Sequence, residues 1–339
     1  MAVTEKQILE SISARKFAPV YLLTGDEDYY IDLITSYFEE KIISPELRDF
    51  NQMVLYGLDT DVQTVVNMAQ HFPMMSDVQL IIVKEAQYLS RGGREDDWLP
   101  LLNYLQSPMA SSVLVLCFKH KKFDKRTKVY KAIDKAGVVY EKNKLKDNQV
   151  PDWVSGYVSQ RGYSITQKGA MLMAEFKGNE LEEIVNDLSK IFVNLPVGSV
   201  IDENVIEQNV GISKDYNIFE LQNAIGRRDA YKCNKIVNYF ADNPKDNPMP
   251  VVIASLYSYI IKIMIFLQEP DKNLAMKNIG VSPYFMRDYE VAASNYKLGK
   301  LASCIGYLHD ADLKSKGVNN NNTISDGDLL KELIFKIIH

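Results

Sequence analysis

Cysteine is scarce in this chain. There are three in 339 residues, Cys117, Cys233 and Cys304, spaced too widely for a CxxC pair or a zinc site. That excludes a disulfide scaffold and leads us to expect buried, reduced thiols in a cytoplasmic protein. Histidine is nearly as rare. His71, His120, His309 and His339 stand alone, with no HExxH pattern and no neighbouring nucleophile. No metal, cofactor or catalytic residue is therefore expected. Charge of one sign is also missing: the formal net charge is −5. A surface wholly given over to nucleic acid is excluded, though a local basic patch is not.

Long apolar runs are missing as well. The N-terminal segment MAVTEKQILESISARKF carries charges throughout and does not read as a signal peptide. One stretch, Met249–Leu267, approaches the length of a membrane span. Its Ser255, Ser258 and Lys262 fall at i, i+3 and i+7, a polar stripe that predicts a mostly buried bundle helix and no membrane partner. No internal repeat of fixed period is present.

What is there is an ordinary globular composition, 46% hydrophobic and 24% charged, long enough for two or three domains. Up to about residue 142, strand-like segments (Val20–Leu23, Gln52–Tyr56, Leu80–Val83, Val113–Phe118 and Val138–Tyr140) alternate with helical ones. The helical patterns lie near Tyr29–Ile42, Asp61–Gln70, Asp97–Gln106 and Lys125–Ala136. Such alternation predicts a parallel sheet covered by helices on both faces. A polar stretch from Lys142 to Gln149 marks a boundary, and beyond it the pattern is helical. It includes helices near Glu180–Val193 and Asp202–Val210 and a closing amphipathic helix with Leu329, Leu330, Leu333, Ile334, Ile337 and Ile338 on one side. The four asparagines after Gly317-Val318 read as an exposed loop.

The segment Phe72–Leu89 is the most informative. Leu80-Ile81-Ile82-Val83 has the pattern of a strand buried on both faces. In P-loop ATPases such a strand commonly ends in an acidic pair that handles magnesium and water. Here it ends in Lys84-Glu85. The first strand is followed by Thr24-Gly25-Asp26-Glu27-Asp28, which keeps the first glycine of a phosphate loop and lacks the second glycine and the lysine. Three carboxylates stand where a triphosphate would lie. They repel a nucleotide, and they also suit a helix start, where acidic residues cap free N–H groups. Met74-Met75, just before the buried strand, read from the residues alone as core, although Pro73 and Ser76-Asp77 suggest an irregular loop. The strongest charge cluster is Lys119, Lys121, Lys122, Lys125 and Arg126, with Lys128 and Lys131 beyond, after the fourth strand. It reads first as a solvated or subunit-facing surface and second as a phosphate-contacting one.

Five segments in order resemble one family. They are Pro19–Glu27, Phe72–Val83, Lys177-Gly178-Asn179-Glu180-Leu181, Tyr216-Asn217-Ile218-Phe219-Glu220-Leu221 and Ala311–Gly317. Together they are similar to the delta subunit of the bacterial DNA polymerase III clamp loader, over nearly the whole chain. The resemblance implies an AAA+-like (P-loop NTPase-like) α/β domain over 1–142, a small helical lid over 143–213 and an all-α collar over 214–339. It implies no ATP hydrolysis by the chain itself, within a holoenzyme whose overall activity is DNA-directed nucleotidyl transfer. The implied partners are the sliding clamp (beta subunit), the gamma/tau and delta-prime subunits through the collar, and primer-template DNA. Family members plug a hydrophobic pair into the clamp. That pair corresponds to Met74 and Met75 here, departing from the usual leucine and aromatic, and Phe72 is a third anchor or a fastener of the loop. Delta-prime itself fits poorly, since this chain lacks its Ser-Arg-Cys finger and zinc cysteines. An active P-loop-type ATPase with an unusual loop, and a stand-alone DNA-binding protein using the Lys119–Lys131 cluster, are the alternatives.

Overall fold

Runs such as Leu80–Val83 form strands because their β-branched side chains pack well on a pleated surface covered on both faces. The computed structural model describes residues 3–90, 95–211, 213, 215–318 and 324–339; the expected asparagine loop, Asn319–Asn322, lies outside them. The chain divides into two compact units, Met1–Leu145 and Lys146–His339, and the division falls inside the polar stretch noted above. The first unit runs α1 (Glu5–Ser13), β1 (Val20–Gly25), α2 (Asp28–Lys41), α3 (Arg48–Asn51), β2 (Gln52–Tyr56) and α4 (Val62–Ala69). It continues through β3 (Gln79–Lys84), α5 (Leu99–Tyr104), β4 (Ser112–Phe118), α6 (Lys128–Ala136) and β5 (Val138–Lys142).

All five expected strands are present, in the order β2-β3-β4-β1-β5 with every neighbouring pair parallel. This is the expected parallel α/β sheet. The central strands β1, β3 and β4 are almost wholly buried, whereas β2 is an edge strand with Val54 and Tyr56 exposed. Two helices begin later than their apolar patterns suggest. α6 starts at Lys128 because Thr127 caps it, accepting a hydrogen bond from the Tyr130 N–H at 3.2 Å. α5 starts at Leu99 because a 3₁₀ turn, Glu95–Trp98, takes up the residues before it.

The second unit is helical: α7 (Val150–Ser159), α8 (Gln167–Lys177), α9 (Leu181–Asn194) and α10 (Glu203–Val210), with a two-stranded parallel ribbon of β6 (Ser164–Ile165) and β7 (Val200–Ile201). The ribbon is too short to register as a periodic pattern in sequence. Then follow α11 (Ile218–Gly226), α12 (Ala230–Asp242), α13 (Met249–Gln268), α14 (Lys272–Ile279), α15 (Met286–Asn295), α16 (Leu298–Ser315) and α17 (Asp326–Ile338). Their buried side chains, from Leu221 to Ile338, form one continuous core. α13 is long and apolar enough to cross a membrane, but here Leu256, Tyr259, Ile260, Ile263 and Phe266 are buried in that core. Of its polar stripe, Ser255 donates to Glu175 of α8 at 2.6 Å.

All three cysteines are free and buried. Burial pushes the Cys117 thiol up to about 11 and that of Cys233 up to about 12, so neither is a nucleophile at neutral pH.

Candidate partner-binding tip and the degenerate phosphate site

Because every strand runs the same way, the sheet has two chemically distinct ends. At the N-terminal end, the loop joining α4 to β3 carries Phe72, Met74 and Met75. They are 80%, 59% and 90% exposed, so Met74 and Met75 are not the core residues that the local pattern alone suggests. Three large apolar side chains held in water on one short loop are costly to leave unpartnered. Met75 also has φ 58°, in the left-handed region that few non-glycine residues occupy.

Two buried amides hold this loop. Asn51, the last residue of α3 and fully buried, accepts a hydrogen bond from the Met74 N–H at 2.6 Å. It donates through Nδ2 to the carbonyls of Met74 at 2.8 Å and Leu47 at 3.0 Å. Gln79, the first residue of β3, donates through Nε2 to the carbonyls of Met68 at 3.1 Å and His71 at 2.5 Å, fastening the end of α4. Neither amide was singled out in the sequence. A polar residue where burial is expected was the available signal, but which backbone it meets is decided by strands distant in sequence.

At the other end, β1 closes on Gly25, with φ 137°. A Cβ there would lie 1.8 Å from the Lys142 carbonyl oxygen, so this glycine serves the close approach of β1 to β5. Glu27 caps α2, accepting from the Tyr29 N–H, as the capping alternative expected. The basic run folds back across this end: Gly25 and Lys121 form an antiparallel bridge, and Thr24 Oγ1 donates to the Lys121 carbonyl and accepts from the Phe123 N–H.

The polar side chains of that run meet carboxylates of the same unit. Lys119 pairs with Asp32 at 2.5 Å, His120 with Asp28 at 2.6 Å and Lys122 with Asp26 at 3.4 Å. Lys125 pairs with Glu141 at 2.7 Å, and Arg126 with Asp124 at 2.8 Å. Lys84, at the end of β3, pairs with Glu39 at 2.9 Å. Burial pulls the Lys84 ammonium down, but the Glu39 carboxylate outweighs it and holds the group above the ordinary lysine range. β3 thus ends on a lysine paired with a carboxylate of its own unit, where such strands in P-loop ATPases commonly end in an acidic pair. Among the described residues no group of three His, Cys, Asp or Glu side chains could hold a metal ion.

Other segments of the resemblance are joints. Asn217 caps α11, and Glu220 on that helix is paired with Lys168 of α8 at 2.8 Å and with Lys232 of α12. Lys177 pairs with the buried Asp187 at 3.1 Å, and Gly178 follows α8 with φ 61°.

Comparison with known proteins agrees with this architecture. Residues 21–143 match the family model of the DNA polymerase III delta subunit. A Bacillus subtilis DNA polymerase III subunit delta is 26% identical over 262 residues, covering 76% of this chain and 75% of the relative. The solved structure of a Bacillus subtilis DNA clamp loader delta protein superposes with a TM-score of 0.58 at 22% identity, covering 99% of each chain. The family match falls on the unit that carries both the tip and the degenerate phosphate site, and over three quarters of its length the chain is similar to a DNA polymerase III delta subunit.

Proposed function

We propose that this chain is a non-hydrolysing clamp-loader subunit that binds the ring-shaped sliding clamp and helps hold it open for loading onto primed DNA. Met74 and Met75 insert into an apolar pocket of the clamp, with Phe72 as a flanking anchor. The observation that carries the proposal is the exposed apolar tip: Phe72, Met74 and Met75 are largely exposed to water, on the loop that by the resemblance corresponds to the family's clamp-binding position.

Fully burying one Met contributes roughly 1.5–3 kcal/mol, offset by up to about 2 kcal/mol of lost rotamer freedom. Two methionines therefore need a wider interface around them, and the flexible thioether suits an irregular pocket. Residues 214–339 act as a collar that joins gamma/tau and delta-prime subunits, residues 143–213 as a lid, and the assembled cytoplasmic complex receives primer-template DNA. Lys119, Lys121, Lys122, Lys125 and Arg126 lie on a loop suited to facing a neighbouring subunit or DNA. The pairing of most of these cations with carboxylates of their own unit favours the subunit contact over strong DNA binding by the chain alone. Asp26 and Asp28 beside Gly25, and Lys84 at the metal position, argue against an active ATPase.

In a pull-down with the purified clamp, Met74→Asp with Met75→Asp abolishes binding while cooperative unfolding and assembly through the collar persist. Normal capture by this double variant would remove the tip from the interface.

A further inference from the structure

Asn51 is the unused polar group whose geometry reaches furthest. It is fully buried immediately before edge strand β2, and it directs both ends of its side-chain amide at the backbone N–H and C=O of one residue of an exposed loop. The Met74 N–H donates to Oδ1 at 2.6 Å and the Met74 carbonyl accepts from Nδ2 at 2.8 Å, as a neighbouring strand would pair with it. A second Nδ2 hydrogen bond, to the Leu47 carbonyl at 3.0 Å, fixes the plane of the amide.

We infer that Asn51 is the positioning residue of the clamp-binding tip, holding Met74 in place so that Met75 is presented in its left-handed conformation before the clamp arrives. This rests on the clamp-binding function proposed above and adds to it the part that makes the tip rigid. The loop has other fasteners, but they hold its ends. Gln79 secures the end of α4, and Ser76 bonds within the loop to Val78. Only Asn51, among the described residues, has side-chain hydrogen bonds to the Met74 backbone. A residue with φ 58° stays there only when its surroundings over-determine it. Without Asn51 the loop remains attached at both ends, but Met74 and Met75 sample other conformations. The clamp must then order them on binding, a cost that a preorganised loop avoids.

The experiment uses the full chain and the purified clamp. Asn51→Ala is expected to weaken clamp binding at least tenfold while the protein still unfolds cooperatively above the assay temperature. In hydrogen exchange, the Met74 amide is expected to exchange at least tenfold faster and the amides of β3 at the wild-type rate. That local signature is one a general loss of stability would not give. Asn51→Asp, which keeps the size and the acceptor for the Met74 N–H, is expected to fall between the two, and it carries the test if Asn51→Ala does not fold. Clamp affinity within twofold of wild type for these variants overturns the inference, as does exchange that rises equally in β3. Measured beside them, the Met74→Asp, Met75→Asp protein separates the two failures. If it has lost the clamp while Asn51→Ala binds normally, the positioning role alone is wrong. If it binds normally, the tip is not the clamp site and the inference falls with it.

Discussion

At the scale of single residues, the structure reassigns positions that look like remnants. Gly25 appears in sequence as the surviving glycine of a phosphate loop, yet its Cβ-less backbone is required by the Lys142 carbonyl packed against it. Gly25→Ala is therefore expected to destabilise the protein by about 3 kcal/mol or more, through a backbone clash at a φ that L side chains rarely adopt. Denaturant unfolding measures this, and a loss below ~1 kcal/mol would show that β1 and β5 yield easily. The local pattern by itself places the methionine pair in the core, and the structure exposes it for a physical reason. Two apolar residues before a buried strand pack inward in most proteins, and sequence does not encode that Asn51 turns this loop's backbone outward.

At the scale of elements, α2 carries an unexpected stripe. Asp28, Asp32, Thr35 and Glu39 lie at i, i+4, i+7 and i+11, on one helical face. They meet His120, Lys119, the Cys117 thiol at 3.1 Å and Lys84 respectively. The helix that follows a phosphate loop is thus fixed to the sheet by side chains of its own unit, with cations at the ends of β3 and β4 where a hydrolytic site needs metal ligands. The ion pairs among these contacts are partly exposed, so each contributes little. Lys84→Met and Lys119→Met are each expected to lower stability by less than about 1 kcal/mol, and the difference from wild type shrinks in ~1 M salt. Urea titrations at two salt concentrations decide it; a salt-independent loss of several kcal/mol would show that these lysines act through packing. The tip lies beyond the opposite end of β3, a strand about 17 Å long at ~3.3 Å per residue. Substitutions in the stripe should accordingly leave the tip intact.

At the scale of the whole molecule, buried charge sets the response to acid. Burial raises the proton affinity of Glu220, but hydrogen bonds from Lys168 and Lys232 outweigh it and hold the carboxyl below its ordinary value of 4.5. A depressed carboxyl contributes stability that is fully present above the unfolded-state value. It is lost as pH falls, because the unfolded chain takes up the proton first. Below about pH 4.5 the wild-type protein should lose stability more steeply than Glu220→Gln, followed by thermal unfolding against pH. Equal acid slopes would show that the two lysines do not hold Glu220 ionised. Since Lys168 is on α8 and Glu220 and Lys232 are on α11 and α12, this charge cluster joins the earlier helices of the second unit to the later ones.

Much was settled by the sequence alone. Buried strands and amphipathic helices follow from local periodicity, so the parallel α/β unit, the helical remainder and the boundary between them were legible. So was the departure from the phosphate-loop pattern, because that pattern is defined by residue types at fixed spacing. What only the tertiary structure decided depends on residues distant in the chain. Asn51 and Met74 meet because β2 and β3 pair in parallel, with Gln52 opposite Leu80. The basic run meets Asp26, Asp28 and Asp32 because β4 lies beside β1. Burial and charge pairing are properties of neighbours in space. For that reason the exposed tip and the occupied phosphate site could not be read from the order of the residues.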